Sequence, residues 1–392
     1  MIRQKYTFET LKSSKPANMG RDYQVCSAGV LDTIANAEIQ FDGNGKSNYF
    51  HEYNAYEKER SEKYVSEQHT FDDTVQFLKK EGKNKKYDCI LGVSGGVDSS
   101  YLALLAKKAG LRVLCIHFDN GWNSELAVDN IQSIIQHCEF DLHTFVIDWN
   151  EFKDIQLSYF KAGVIDLEAV TDIAIFAALN DLSRKYKIAH ILDGRNGQTE
   201  FVLPGVWINK DAGNLRNIHS QFGTAPIKNY PIHSPLKGRF LQQIHTINNI
   251  PLLEMIDYNK DKAKAEIQTE FGWRDYGGKH YESVFTRFYQ GYILPEKFNV
   301  DKRKAHLSNL IYSKQMTREE ALAELQHPIY PMEQLEIDFP FVLKKLDFTE
   351  SSFYEYIDAP VVEHSVYGKS IPIDAHFPIL KPAKFLWNKL RR

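Results

Sequence analysis

Residues 91–100 read Leu-Gly-Val-Ser-Gly-Gly-Val-Asp-Ser-Ser. Their types and spacing suit the handling of a phosphate chain. Ser94, Gly95 and Gly96 would bring bare backbone N–H groups and a hydroxyl to the start of a helix. Unpaired N–H groups and the positive end of the helix dipole favour an anion there. Glycine keeps a Cβ from holding phosphate away and tolerates positive φ. Val97, Ser99 and Ser100 carry the loop into its first helical turn. Asp98 sets a carboxylate beside the anion, which is favourable when a divalent cation lies between them. Gly-Gly alone would mark only a turn. The full string is more than that, yet no Gly-Lys-Ser/Thr follows, so it is not a Walker loop. The third glycine of the dinucleotide fingerprint is missing as well.

Three further clusters could carry chemistry. Asp119-Asn120-Gly121-Trp122-Asn123-Ser124 follows an apolar run and lies where a base or ribose would sit beside the phosphate loop. Asp193-Gly194-Arg195-Asn196-Gly197-Gln198-Thr199-Glu200 is a polar segment suited to facing a substrate. Asp301-Lys302-Arg303-Lys304-Ala305-His306 puts cations at a helix start, against the helix dipole, which an anionic ligand would relieve. A plain turn for the first and a solvated basic face for the last are the simpler readings.

The elements that must position these residues alternate. Strand-like runs at 87–93, 112–118, 144–148 and 188–192 are interleaved with helix-like runs at 98–109, 125–138 and 167–185. In the second helix Ile131, Ile134, Ile135 and Cys138 share a face. Repeated β-α-β predicts a parallel sheet with helices on both sides, ligands binding at the carboxyl ends of its strands. After about residue 241 helix-like stretches take over, at 260–270, 283–292, 303–312 and 317–326, the last opening close to a capping box at Thr317-Arg-Glu-Glu320. The expected organisation is an N-terminal segment (1–70), an α/β domain (71–240) and a mostly helical C-terminal domain (241–392).

Bulk properties exclude several classes. The 392 residues are 43% hydrophobic and 25% charged, with a net charge of −3, which gives no electrostatic case for nucleic acid. No apolar run approaches the ~18 residues of a membrane span. The opening Met-Ile-Arg-Gln-Lys-Tyr has no apolar signal core, so a cytoplasmic protein is expected. The cysteines are Cys26, Cys89, Cys115 and Cys138, none of them in a Cys-x-x-Cys pair.

The 94–99 string resembles the pyrophosphate loop of the N-type ATP pyrophosphatase superfamily. Those enzymes cleave ATP between the α- and β-phosphates and adenylate an oxygen of the substrate. A nucleophile then displaces AMP. No cysteine lies beyond residue 138 to carry a persulfide, which argues against tRNA thiolation. Position 2 is isoleucine and no Gly-x-Cys-x-Gly elbow exists, so ammonia from glutamine would need a partner.

Nearly the whole chain is similar to one family, the N-acetyl sugar amidotransferases of bacterial lipopolysaccharide and O-antigen synthesis (the WbpG type). The likeness is carried by Val30-Leu31-Asp32-Thr33, Ile39-Gln40-Phe41-Asp42-Gly43-Asn44-Gly45 and the 94–99 loop. It continues through His117-Phe118-Asp119-Asn120-Gly121-Trp122-Asn123-Ser124 and Gly194 with Asn196, Thr199 and Glu200. The most specific strings are Tyr276-Gly277-Gly278-Lys279-His280-Tyr281-Glu282-Ser283 and Asp301-Lys302-Arg303-Lys304-Ala305-His306-Leu307-Ser308.

The resemblance implies an adenine nucleotide alpha hydrolase-like (HUP, PP-loop) α/β core that uses ATP and Mg²⁺. It implies adenylation of an acetamido group on a UDP-linked 2,3-diacetamido mannuronic acid or a close relative. Ammonia from a glutaminase and cyclase-like pair, related to histidine-pathway enzymes, would then leave an acetamidino group. Ser94, Gly95, Gly96, Val97, Ser99 and Ser100 would bind pyrophosphate, and Asp98 would position Mg²⁺. His117, Phe118, Asp119 and Asn120 would lie near the nucleotide, while Gly194, Asn196, Thr199 and Glu200 would face the sugar. Lys279 with Lys302 or Arg303 would join Asp98 as catalytic residues by neutralising developing charge. No nucleic-acid or membrane partner is expected, and homo-oligomerisation stays open. Another adenylating ligase of the superfamily, or a non-catalytic paralogue, stays open too.

One departure concerns the two Cys-x-x-Cys pairs of the family pattern. Here they read Cys26-Ser27-Ala28-Gly29 and Ser47-Asn48-Tyr49-Phe50. Cys26 alone cannot build four-coordinate zinc, so no zinc site is expected. The neighbouring turn would rest on Tyr49 and Phe50 packing instead.

Overall fold

The computed structural model describes residues 2–4, 21–66, 70–233, 246–278 and 281–370. Five strands, β1 (Cys89–Gly92), β2 (Val113–Asp119), β3 (Asp141–Val146), β4 (His190–Leu192) and β5 (Asn248–Ile250), form one parallel sheet in the order β3-β2-β1-β4-β5. The first helices are α1 (Asn48–Ser61), α2 (Phe71–Glu81), α3 (Val97–Lys108), α4 (Glu125–Cys138), α5 (Trp149–Ala162) and α6 (Ala169–Tyr186). Next come α7 (Gly197–Glu200), α8 (Ala212–Phe222) and α9 (Lys260–Phe271). The C-terminal region holds α10 (Val284–Phe288), α11 (Leu294–Phe298), α12 (Arg303–Tyr312), α13 (Arg318–Glu324), α14 (Met332–Lys345) and α15 (Glu350–Asp358).

Side-chain alternation explains the layers. Cys89, Leu91, Val113 and Cys115 join one apolar cluster with Leu102 and Ala106 of α3, Ile131 and Ile134 of α4, and Ala263 of α9. Ile90, Leu114 and Ile116 turn to the opposite face, against Leu182 of α6. Strands apolar on both faces need cover on both, which is why they read as continuous apolar runs. The expected α/β core with a helical C-terminal region is the fold observed.

Three expectations change in detail. The third strand begins at Asp141, not Thr144, because β3 is an edge strand with Asp141, Leu142, Thr144 and Val146 exposed, which leaves no continuous apolar run to mark its start. The sheet runs past the boundary expected at 240, since β5 pairs with β4. Its three residues, Asn-Asn-Ile, leave no apolar run to see. The C-terminal helices also share a core with the α/β part. Phe152, Tyr159 and Val170 of α5 and α6 pack in one cluster with Phe285, Phe288, Phe339 and Phe353. Among the described residues no helix is long and apolar enough to cross a membrane.

The N-terminal segment closes on α12. Positions 26, 29, 47 and 50 converge on the Tyr312 side chain. Cys26 Sγ and Ser47 Oγ each lie 3.5 Å from its hydroxyl. The Phe50 ring stands edge-on to the Tyr312 ring at 5.4 Å. A Cβ on Gly29 would come within 2.5 Å of the hydroxyl. Phe50 therefore packs here, whereas Tyr49 turns away and donates to Asn36 Oδ1 at 3.2 Å.

The basic cluster at 302–304 is not an open cationic face. Lys304 Nζ donates to Asp32 Oδ2 at 2.5 Å, both side chains almost fully enclosed. Burial pushes the Asp32 carboxyl up and Lys304 pulls it back. Arg303 grips Asp301 at 2.8 Å and the His327 carbonyl at 3.0 Å, beyond the end of α13. The cations oppose the helix dipole because buried acids hold them there.

Removing one partner of a buried pair leaves a stranded charge. Lys304→Ala should therefore lower unfolding free energy by about 3–5 kcal/mol in urea titrations, and Lys304→Met with Asp32→Asn should recover most of it. A Lys304→Ala loss of only about 0.5 kcal/mol would reject the pair as a fastener. Asp166 offers a pH test. Burial raises its carboxyl to about 7, while its Oδ2 accepts the Asn209 N–H at 2.7 Å. The unfolded chain ionises first, so this group's contribution to stability falls as pH rises from about 4 to about 7. Asp166→Asn should flatten that fall in thermal melts; an unchanged slope would refute it.

Candidate functional site

The strand order reverses between β1 and β4, and the loops that follow these strands meet across that crevice. A Cβ on Gly194, after β4, would lie 3.7 Å from the Ser99 backbone N. After β1 the chain turns at Gly95, with φ +81°, and caps α3 with Gly96. A Cβ on Gly95 would come within 2.8 Å of both the Ala127 carbonyl and the Tyr276 hydroxyl. The Gly95 carbonyl accepts Trp273 Nε1–H and Tyr276 O–H, each at 2.8 Å. Within the loop, Gly96 N–H donates to Ser94 Oγ at 3.2 Å and Ser94 N–H to Ser99 Oγ at 3.3 Å. Ser100 Oγ donates back to the Gly96 carbonyl at 2.6 Å. The turn is thus held both within the loop and from Trp273 and Tyr276.

Asp98 is the second residue of α3, and its Oδ1 is engaged twice. Asn196 Nδ2 donates to it at 3.4 Å, and the buried Tyr258 hydroxyl donates to the same oxygen. Burial, then the Asp98 charge, holds the Tyr258 phenol protonated far above its ordinary range, with Glu200 adding to the effect. Asn196 Oδ1 caps α7 by accepting the Thr199 N–H (2.9 Å) and hydroxyl (2.8 Å). Asn196 and Thr199 are both buried, so their hydrogen bonds fix the turn that follows β4. Backbone N–H groups at a 12-residue helix start, a cradle that Cβ atoms would fill, and a hard carboxylate oxygen fit a phosphate chain with Mg²⁺. Among the described residues no group of three His, Cys, Asp or Glu side chains is arranged to hold a metal by itself.

The β2 loop forms the next wall. His117 Nδ1 lies 3.3 Å from the Val93 carbonyl and Nε2 lies 3.2 Å from Asn123 Nδ2. Asp119 Oδ1 accepts the Gly121 N–H at 2.8 Å, and Asn120 Nδ2 donates to Thr171 Oγ1 at 3.3 Å. Phe118 stacks on Phe145 of β3. A cavity of about 320 Å³ opens here, lined by Asp119, Asn120, Gly121, Val146, Ile147, Trp149 and Lys345. Lys345 Nζ sits 4.8 Å from the ring centres of both Trp122 and Trp149. Burial lowers its pKa.

The C-terminal region also reaches the loop itself. Asn123 and Ser283 form an antiparallel bridge, with Ser124 N–H donating to the Glu282 carbonyl at 2.9 Å. This seats the Glu282 carboxylate beside the loop, 3.2 Å from where a Gly96 Cβ would be. Lys302 reaches the N-cap residue of α6. Its Nζ lies 3.4 Å from Glu168 Oε2, which also accepts Gln290 Nε2–H at 2.9 Å. Arg303 does not join it, being occupied by Asp301 and the carbonyls beyond α13. Lys279 lies outside the described residues.

The structure thus gathers the 94–100 loop, His117, Asp119, Asn120, Gly194, Asn196 and Asp98. Sequence reasoning missed Tyr258, Glu282 and Lys345. Glu282 lay inside a motif string and drew no notice among aromatic and basic neighbours. Tyr258 and Lys345 carry no local signal at all; only tertiary packing brings them in.

Two family models match. Residues 88–181 match queuosine biosynthesis protein QueC, and residues 282–377 match the C-terminal domain described as LPS biosynthesis protein WbpG-like. A 79-residue stretch is 40% identical to an uncharacterized protein of Methanocaldococcus jannaschii, covering 20% of this chain and 28% of that protein. A 193-residue stretch is 25% identical to the tRNA(Ile)-lysidine synthase of Chlamydia muridarum, covering 48% of this chain and 55% of the relative. The chain therefore spans between about a quarter and about half of the length of these curated relatives. Among solved structures, the NH3-dependent NAD synthetase of Campylobacter jejuni is similar at 17% identity, with a TM-score of 0.28 over 44% of this chain and 71% of that one. The U34-tRNA thiolase NcsA of Methanococcus maripaludis is similar at 15% identity, with a TM-score of 0.33 over 72% and 83%. By its two family matches, the chain joins a QueC-like stretch to a WbpG-like C-terminal domain.

Proposed function

We propose that this protein is an ATP-dependent sugar amidotransferase of surface-polysaccharide synthesis. It adenylates an acetamido oxygen of a UDP-linked diacetamido uronic acid and lets ammonia displace AMP. The observation that carries this reading is that Glu282, where the WbpG-like match begins, faces an intact 94–99 loop, with Ser283 bridged to Asn123 of the β2 loop. A phosphate cradle in contact with a sugar-pathway domain points to chemistry shared between ATP and a nucleotide sugar.

In this mechanism the Ser94–Gly96 turn and the start of α3 bind and orient the β- and γ-phosphates as the leaving pyrophosphate. Mg²⁺ would be held by Asp98 together with phosphate oxygens, and would neutralise charge on the departing group. The loop after β2 takes the nucleoside side, next to the Asp119–Lys345 cavity. The acetamido oxygen attacks the α-phosphorus and pyrophosphate leaves. Ammonia then adds to the activated carbon, AMP leaves with the C–O bond, and loss of a proton gives the acetamidino group. Asn196, which donates to Asp98, and Glu200 would face the acceptor. Ammonia would come from a partner glutaminase with its cyclase-like companion.

Incubation with ATP, Mg²⁺, ammonium and UDP-diacetamido mannuronic acid should release AMP and pyrophosphate. Mass spectrometry should show the acceptor with one amide oxygen exchanged for nitrogen. Glutamine alone should not replace ammonium without the partner. Pyrophosphate release with other acceptors but not with the uronic acid would move the chain to another adenylating ligase. Asp98→Ala should lower pyrophosphate release by about 100-fold or more while circular dichroism stays unchanged; near-normal turnover would reject its metal role.

A further inference from the structure

We infer that Tyr258 is the positioning residue for the Asp98 carboxylate, and that the C-terminal helical region sets Tyr258 through Gln315. The inference rests on the reading of the 94–99 loop as an ATP–Mg²⁺ site.

Tyr258 stands between β5 and α9 with its ring 1% exposed. Its ring packs at 5.9 Å from Tyr101, one turn beyond Asp98 on α3. A phenylalanine would make the same apolar contacts. The hydroxyl adds one thing, a hydrogen bond to Asp98 Oδ1, the oxygen that Asn196 also reaches. A surface aspartate in a first helical turn samples several rotamers. Two donors converging on one oxygen hold this carboxylate in a single orientation.

The backbone of Tyr258 is clamped from both sides. Its N–H donates to Gln198 Oε1 at 2.8 Å, from α7 of the β4 loop. Its carbonyl accepts Gln315 Nε2–H at 3.1 Å, and Gln315 Oε1 accepts the Lys260 N–H at 3.0 Å. Gln315 follows α12, so one amide from the C-terminal region brackets the chain on either side of Asn259. The path Gln315–Tyr258–Asp98 is continuous and built from directional bonds. Partners of this kind orient the ligand rather than contact the ion.

The test uses full-length protein and two measurements by calorimetry: ATP binding without divalent cation, and the Mg²⁺ concentration that half-saturates its effect on ATP binding. In Tyr258→Phe the metal-free affinity should stay at the wild-type value. The half-saturating Mg²⁺ concentration should rise about 10-fold or more. Gln315→Ala should move it in the same direction by a smaller factor, and it leaves the Tyr258 ring in place should the phenylalanine variant fold poorly. A Mg²⁺ dependence that stays at the wild-type value, or falls, in the folded variants overturns the inference while the ATP reading stands. Wild-type protein that binds ATP with no Mg²⁺ dependence, or not at all, removes the ATP–Mg²⁺ reading itself and the inference with it.

Discussion

Parallel pairing of β1 with β4, Ile90 opposite Ile191 and Leu91 opposite Leu192, is the constraint on which the site depends. On its other side β1 pairs with β2. The chain therefore leaves β1 between two neighbours whose connections run in opposite directions, and a crevice opens above their carboxyl ends. The 94–100 loop and the Gly194–Asn196 segment face each other across that crevice. Its walls are loops, and their roots are the buried strands β1 and β4.

The loop itself is held by contacts that sequence neighbours do not supply. Gly95 is pinned through its carbonyl by Trp273 and Tyr276, beyond α9. Gly96 is faced by Glu282, at the start of the C-terminal region. Asp98 is held by Tyr258 and Asn196. The phosphate cradle thus belongs to the whole molecule. The common core that joins Phe152, Tyr159 and Phe285 agrees with this: the C-terminal helices complete the site rather than flank it.

The cations at 302–304 are tied down by different parts of the chain. Lys304 with Asp32 is a fully enclosed fastener, and Arg303 is held by the buried Asp301. Lys302 pairs with Glu168, the N-cap residue of α6. All three cations look alike as a Lys-Arg-Lys run. All three find an acid partner, and what separates them is where that partner lies: Asp32 in the N-terminal segment, Asp301 next along the chain, and Glu168 at the start of α6.

Much of the core was legible residue by residue. Apolar runs marked β1, β2 and β4 because both faces are buried, and the Ser-Gly-Gly-Val-Asp-Ser string marked the cradle because few other residues permit that turn and that close approach. The capping box at Thr317 was legible as well, with Glu320 reaching back to it. β5 was not, since two of its three residues are asparagines held in the sheet by backbone bonds that any residue could make. Local chemistry by itself determined the loop, its helix and the alternation of strands, because these depend on neighbours in the chain. Which side chains face Asp98, what encloses Tyr312, and which cations are tied down were decided by tertiary structure, because burial and hydrogen-bond partners come from residues up to about 290 positions away.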